Sequence, residues 1–244
     1  MASSWILRTH PRSAPKHRIF CFPFAGGGAS LFRTWSDLLP NEIEVCGIQP
    51  PGREMRMRED PLTRMSDVAD QALEAMRPLL ELPFSLYGHS LGALTAFEVA
   101  HRLQESDGSD AAHLFVSARR APDLPNNAPP IHALSMQQFM NALRLRYQGI
   151  PKFVFEDKGM REMFFPVLRA DMEILETYAC ADRARLQCPI TTFGGASDQH
   201  ASAAELEAWR IHTAGDFAQH TLPGGHFFVR EDPRGMLSIL KAVL

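Results

Sequence analysis

The chain has 244 residues, of which 45% are hydrophobic and 22% charged, with a formal net charge of −3. This balance describes a soluble globular protein long enough to bury its own core without metals or disulfides, and it disfavours nucleic acid as a partner. No apolar run approaches the length of a membrane span, and the N-terminal stretch MASSWILRTHPRSAPKHR holds no signal-peptide core, so a cytoplasmic location is expected.

After this polar lead-in, Arg18 to Phe22 reads as a strand that runs into Pro23-Phe24-Ala25-Gly26-Gly27-Gly28. Consecutive glycines at a strand end bring backbone N–H groups close to a ligand, which suits an oxyanion-hole loop. A nucleotide site is disfavoured, because no Gly-Lys-Ser/Thr ending and no G-x-G-x-x-G register is present. A helix is expected over Leu31 to Leu39, then a second strand from Ile43 to Ile48 that stops at Pro50-Pro51-Gly52. Strand, helix, strand implies a parallel sheet. The charged run from Arg53 to Asp60 reads as a surface loop. Ser66 is placed to cap a helix reaching towards Leu80, with Val68, Ala72, Ala75, Met76 and Leu79 as its apolar stripe and Pro78 bending or ending it.

The stretch PFSLYGHSLGALTAFEVAHR joins a short apolar strand, Phe84 to Tyr87, to a helix from Leu91 to Leu103 through Gly88-His89-Ser90-Leu91-Gly92. This is the pattern of a nucleophile elbow, with Ser90 on the sharp turn, exposed above the sheet, and glycines where a Cβ would clash. The serine also sits at a helix N-terminus, where free N–H groups favour a developing anion. His89, beside it on a tight turn, is expected to be structural.

His113 to Ser117 forms the next strand, followed by Arg119-Arg120-Ala121-Pro122. From Pro122 a Pro/Asn-rich linker leads into amphipathic helices, Met136 to Tyr147 and Gly159 to Tyr178. Phe139, Met140, Leu143, Phe153, Phe155, Met163, Phe164, Phe165 and Leu168 could serve core packing; a lid over an apolar channel is the favoured reading of so long an excursion. Alternation then resumes. Ile190 to Phe193 is a strand ending at Gly194-Gly195-Ala196-Ser197-Asp198, a helix runs from Ala203 to His212, and Phe217 to Leu222 ends at Pro223-Gly224-Gly225-His226. A closing helix covers Pro233 to Leu244. One α/β domain, residues 1–244, with a lid insertion at about 122–178, is therefore expected. Cys21, Cys46, Cys180 and Cys188 show no C-x-x-C spacing and read as buried free thiols, and the scattered histidines show no metal-ligand spacing.

A serine hydroxyl attacks a carbonyl at neutral pH only if an imidazole takes its proton and a carboxylate orients that imidazole. His226 and Asp198 lie in loops just past strands, and the order Ser90, Asp198, His226 is that of the α/β-hydrolases. Asp182, in a charged connector, and Asp171, in an expected lid helix, are the rival acids; His200 reads as a surface side chain. The oxyanion would be held by the N–H groups of Leu91 and, from the glycine loop, Ala25. No cofactor is required.

Phe22-Pro23-Phe24-Ala25-Gly26-Gly27, Pro51-Gly52-Arg53, Gly88-His89-Ser90-Leu91-Gly92, Ser117-Ala118-Arg119-Arg120-Ala121-Pro122, Leu168-Arg169-Ala170-Asp171 and Gly224-Gly225-His226-Phe227-Phe228 together resemble the type II thioesterases over nearly the whole chain. Medium-chain acyl thioesterases of fatty-acid synthesis are similar too. The resemblance implies a discrete α/β-hydrolase that serves polyketide and nonribosomal peptide synthases, releasing stalled or aberrant acyl groups from the phosphopantetheine arm of acyl or peptidyl carrier proteins. It implies Ser90, Asp198 and His226 as the triad and a helical lid between Pro122 and about Tyr178. Ser197-Asp198-Gln199-His200 departs from the family, which more often has proline after the aspartate. A broad carboxylesterase and a non-catalytic acyl-binding module on a hydrolase shell are the other classes. Arg53, Arg56, Arg58, Arg119 and Arg120, which follow strand ends, are expected to attract an acidic carrier protein.

Overall fold

The computed structural model describes residues 4–106, 110–126, 128–147, 150 and 152–244. Among the described residues seven strands form one sheet: β1 (Ile6–Leu7), β2 (His17–Phe22), β3 (Ile43–Ile48), β4 (Phe84–His89), β5 (Leu114–Ser117), β6 (Ile190–Gly195) and β7 (Phe217–Leu222), in the order β1-β3-β2-β4-β5-β6-β7. All neighbours run parallel except β1, which pairs antiparallel with β3 through Ile6 opposite Ile48 and Leu7 opposite Gly47. At two residues, β1 carries no periodic signal, and the expected polar lead-in conceals it.

The central strands β3, β4 and β5 are buried throughout because both faces are covered. Alternate residues of β2 divide between two cores: Phe20 and Phe22 face one, Ile19 and Cys21 the other. The first core is closed by α2 (Met65–Met76) and α3 (Leu91–Ser106), the second by α1 (Trp35–Leu38), α8 (Phe228–Glu231) and α9 (Arg234–Val243). Between β5 and β6 the chain leaves the sheet for α4 (Met136–Arg146), α5 (Lys152–Glu156) and α6 (Lys158–Thr177); α7 (Ala203–Glu207) follows β6. Residues 127, 148, 149 and 151 of the expected insertion lie outside the described residues. Ser135 and Gln138 form a capping box at the start of α4, and the Asp157 side chain accepts from the Met160 N–H at 2.8 Å to cap α6. Phe165 packs edge-on against Phe139 and Phe155, while Phe153 and Met163 are 53% and 45% exposed. Phe139, Phe155 and Phe165 thus join the first core.

Some boundaries differ from expectation. In place of one helix over Leu31 to Leu39 there is a 3-10 turn, Ala29–Phe32, and the four-residue α1. Phe32 and Trp35 pack edge-on against each other and against Tyr87, and tight turns bring residues three apart onto one side. Ser66 does not cap α2: the helix begins at Met65 with Arg64 in the cap position, and the Ser66 hydroxyl donates to Asp67 Oδ1 at 3.1 Å. Pro78 does end α2, which passes into a 3-10 turn over Arg77–Leu79.

The arginine expectation is corrected. Arg53 and Arg56 are 8% and 7% exposed. Arg56 is held by both Glu59 carboxylate oxygens and the Gln49 carbonyl, and lies over the Trp5 ring. Arg119 and Arg120 are partly buried, and burial followed by the Arg120 charge pulls the Arg119 guanidinium down to about 10. Only Arg58 of the loop cations faces solvent. The 3-10 turn at Glu54–Arg56 causes this, because it rolls Arg53 and Arg56 inward. Among the described residues no helix is long and apolar enough to cross a membrane.

Candidate active site

β4 delivers Ser90 onto the turn before α3 with φ +55°, a left-handed conformation that only a constrained turn imposes on serine. The surrounding glycines are obligatory. A Cβ on Gly88 would lie 2.1 Å from the Gly92 carbonyl oxygen, and one on Gly92 would lie 2.1 Å from the Phe22 carbonyl oxygen. The Ser90 N–H donates to Ser117 O at 2.8 Å, which ties the turn to β5.

His226 follows β7, and its Nε2 lies 3.2 Å from Ser90 Oγ. Its Nδ1 faces both oxygens of Asp198, at 2.9 and 3.1 Å, from the loop after β6. The Asp198 side chain has no exposed surface and that of His226 is 9% exposed. Burial alone would raise the Asp198 carboxyl, but the His226 hydrogen bond and charge and the His200 N–H outweigh it and hold the group below its ordinary value. His89 is buried and neutral, pushed down to about 3 by burial and then by His226. Its Nε2–H donates to the His226 carbonyl at 2.8 Å, and its Nδ1 accepts from the Ser117 hydroxyl at 2.9 Å. The structural part expected of His89 is therefore specific: it fixes the backbone that carries His226. His200 is exposed, as expected, and contributes its N–H to Asp198.

The rival acids fall away geometrically. Asp182 is exposed, and Asp171 is occupied by a buried bidentate pair with Arg53 at 2.7 and 2.9 Å. In the glycine loop, the Gly26 N–H donates to Asp171, Gly27 to the Phe24 carbonyl, Ala29 to Gln49 and Ser30 to Glu54. Ala25 has no such partner among the described residues. Leu91, first residue of α3, has an N–H that no helical carbonyl can accept.

Contrary to expectation, Ser90 is not open to solvent; it is 8% exposed. A cavity of about 30 Å³ touches it, lined by Phe24, Leu143, Tyr147, Leu168, Met172 and Phe227 among others. Two larger cavities adjoin: one of about 540 Å³ that shares Phe24, and one of about 450 Å³ that shares Tyr147 and Ile150.

A parallel sheet with a strained serine between β4 and α3, a histidine after the last strand and a carboxylate after β6 defines an α/β-hydrolase of the serine type. The thioesterase domain family matches residues 17–244, and the chain belongs to that family. It is 40% identical over 98% of its length to the gramicidin S biosynthesis protein GrsT of Aneurinibacillus migulanus, covering 93% of that protein. The type II thioesterase BorB from the borrelidin biosynthetic cluster superposes with a TM-score of 0.88 at 33% identity, covering all of this chain and 97% of the other. RedJ, the thioesterase of the prodiginine pathway in Streptomyces coelicolor, gives 0.85 at 36% identity over 96% of this chain and 90% of that one.

Sequence reasoning did not find the Arg53–Asp171 pair. One signal was available: Asp171 lies on the apolar face of its helix, three residues from Leu168 and Ile174, where a carboxylate needs a partner.

Proposed function

We propose that this chain is a discrete editing thioesterase, which hydrolyses acyl groups from the phosphopantetheine arm of acyl or peptidyl carrier proteins through an acyl-serine on Ser90. The hydrogen-bonded line Ser90–His226–Asp198 at a strained elbow, in a thioesterase-family chain, carries this reading. His226 Nε2 takes the Ser90 proton as Oγ attacks the thioester carbonyl. Asp198 holds the imidazole by its Nδ1–H and stabilises the imidazolium. The carbonyl oxygen becomes an oxyanion held by the Ala25 and Leu91 N–H groups, and its collapse expels the pantetheine thiol, which leaves with the proton from His226. Water, deprotonated by the same imidazole, then releases the acid.

A thioester carries two arms on one carbonyl, and we assign one arm to each of the two larger cavities, which share Phe24 and Tyr147 respectively with the small cavity at Ser90. The 540 Å³ cavity, walled by Leu31, Trp35, Met57, Met163, Phe164 and Val167, suits the acyl chain. The helical excursion, residues 122–178, acts as the lid. The space at Ser90 is narrow, about 30 Å³ beneath Leu143 of α4 and Leu168, Met172 and Leu175 of α6, so on this reading α4 and α6 move apart to admit the thioester.

The test is mass spectrometry of acyl-loaded carrier protein. Wild type should strip the acyl group, prefer acyl-pantetheine to p-nitrophenyl esters, and be labelled by a fluorophosphonate at Ser90. Ser90→Ala should lose labelling and about 10⁶ of kcat. Undiminished turnover by that variant rules out the serine mechanism.

A further inference from the structure

We propose that Asp171 and Arg53 are positioning residues for the reaction: together they lock the turn that aims the Ala25 N–H at the oxyanion. The inference rests on the roles of Ser90 and Ala25 given above.

The glycine loop is a four-residue turn closed by the Gly27 N–H donating to the Phe24 carbonyl at 2.8 Å. Gly26, its third residue, has φ +78°, the mark of a type II turn. Types I and II share the closing hydrogen bond and differ by a rotation of about half a turn of the central peptide, here the one between Ala25 and Gly26. The closing bond therefore does not choose between them. The N–H of that central peptide does, and it donates to Asp171 Oδ2 at 2.6 Å. A glycine in third place tolerates either form, so the choice falls to whatever holds this N–H.

Asp171 is itself fixed. Its side chain is 3% exposed, and Arg53, at 7%, binds both carboxylate oxygens. Arg53 Nη1 also donates to the Gly27 carbonyl at 3.3 Å, and its Nε donates to the Pro51 carbonyl at 3.2 Å. The loop is thus gripped at the Gly26 N–H by the carboxylate and at the Gly27 carbonyl by the guanidinium. With that grip lost, the central peptide turns over; the Ala25 N–H, on the preceding peptide, does not turn with it, but the loop that carries it loses its anchors on Asp171 and Arg53, and the donor pair of Ala25 and Leu91 loses alignment. Asp171 also stands on α6, whose Leu168, Met172 and Leu175 roof Ser90, so the position of the roof is transmitted to the oxyanion loop.

The test compares Asp171→Asn and Arg53→Lys with Glu44→Gln. The control breaks a buried pair of the same kind, Glu44 with Arg18, at the opposite end of β2 and β3. Active enzyme is titrated with fluorophosphonate, and all measurements are made below the lowest Tm. Both positioning variants should lower kcat on acyl-pantetheine by about 10²-fold, with KM within about 3-fold of wild type. The Kd for a trifluoromethyl ketone, which forms a tetrahedral adduct on serine, should rise by the same factor as kcat/KM falls. The Kd for a non-hydrolysable thioether analogue should not move. Glu44→Gln should lower Tm and change none of these constants. Wild-type kcat and ketone affinity in the positioning variants overturn the proposal, whatever their Tm. If Asp171→Asn does not fold, Arg53→Lys alone decides. A Ser90→Ala enzyme that retains turnover would count first against the serine reading, and so be told apart from failure of the pair.

Discussion

Asp198 is the residue on which the geometry turns most sharply, because an amide in its place keeps the shape and reverses one hydrogen bond. An Asn Nδ2 facing His226 Nδ1 forces the proton onto Nε2, the atom that must accept from Ser90. Asp198→Asn should therefore lower kcat by roughly 10⁴ with Tm nearly unchanged, whereas Asp182→Asn should leave steady-state kinetics at wild-type values. The reverse result would move the acid to the connector before β6. The hydrogen-bonded line of Ser90, His226 and Asp198 was legible in the sequence because the chemistry proposed for it demands particular residue types at particular strand ends. The pairing of Arg53 with Asp171 was not, since the two stand 118 residues apart and the apolar-face position of Asp171 calls for a partner without naming it. In the run from Arg53 to Asp60 no periodicity tells which arginines turn inward; only the tertiary packing of a three-residue turn settles that.

At the scale of the element, the long helices were readable from their apolar spacing: α4, α6 and α9 lie within a residue of expectation at each end, whereas α3 runs on past Leu103 to Ser106 and α2 stops at Met76, short of Leu80. The pieces that escaped are short: β1, α5 and α8 span two, five and four residues, too few for any period to show. The excursion was recognised by its length, but not the division of its side chains between packing and cavity. Met163 is half exposed and lines the 540 Å³ cavity from α6, so it can be enlarged without overpacking the cluster around Phe165. Met163→Trp should narrow that space. We expect kcat/KM on long acyl-pantetheines to fall by about 10-fold, with acetyl-pantetheine within about 2-fold of wild type. A uniform loss across a chain-length series would place the acyl group elsewhere.

Across the molecule, Glu98 joins parts that the sheet does not. From α3 its buried carboxylate accepts from Arg102, Tyr178 and Arg183, and Arg102 reaches on to Asp70 of α2. Burial would raise the Glu98 carboxyl, but these donors, Arg183 foremost, bring it below its ordinary value. A carboxylate depressed on folding stabilises the folded state fully above its unfolded pKa, about 4.3, and loses that contribution as pH falls through the folded value. Glu98→Gln should lower Tm at pH 7 by roughly 4–8 °C, about 2 kcal/mol, and the gap to wild type should shrink in a melting series taken below pH 4. A gap independent of pH would assign the loss to packing.

The narrow cavity at Ser90 has a consequence for how such an enzyme discriminates. On the proposed reading, only molecules with α4 and α6 parted can bind a carrier-borne acyl group, so the apparent affinity is the intrinsic one scaled by the open fraction. That fraction is a dial outside the chemistry. A disulfide or staple between α4 and α6 would turn it down for every substrate alike, and a mildly destabilising change in the Phe139–Phe165 contact would turn it up. Such an enzyme ignores acyl groups that leave their carrier quickly and acts on those that linger beyond an opening event: it sorts by dwell time, with no need to recognise what is wrong with the group it removes.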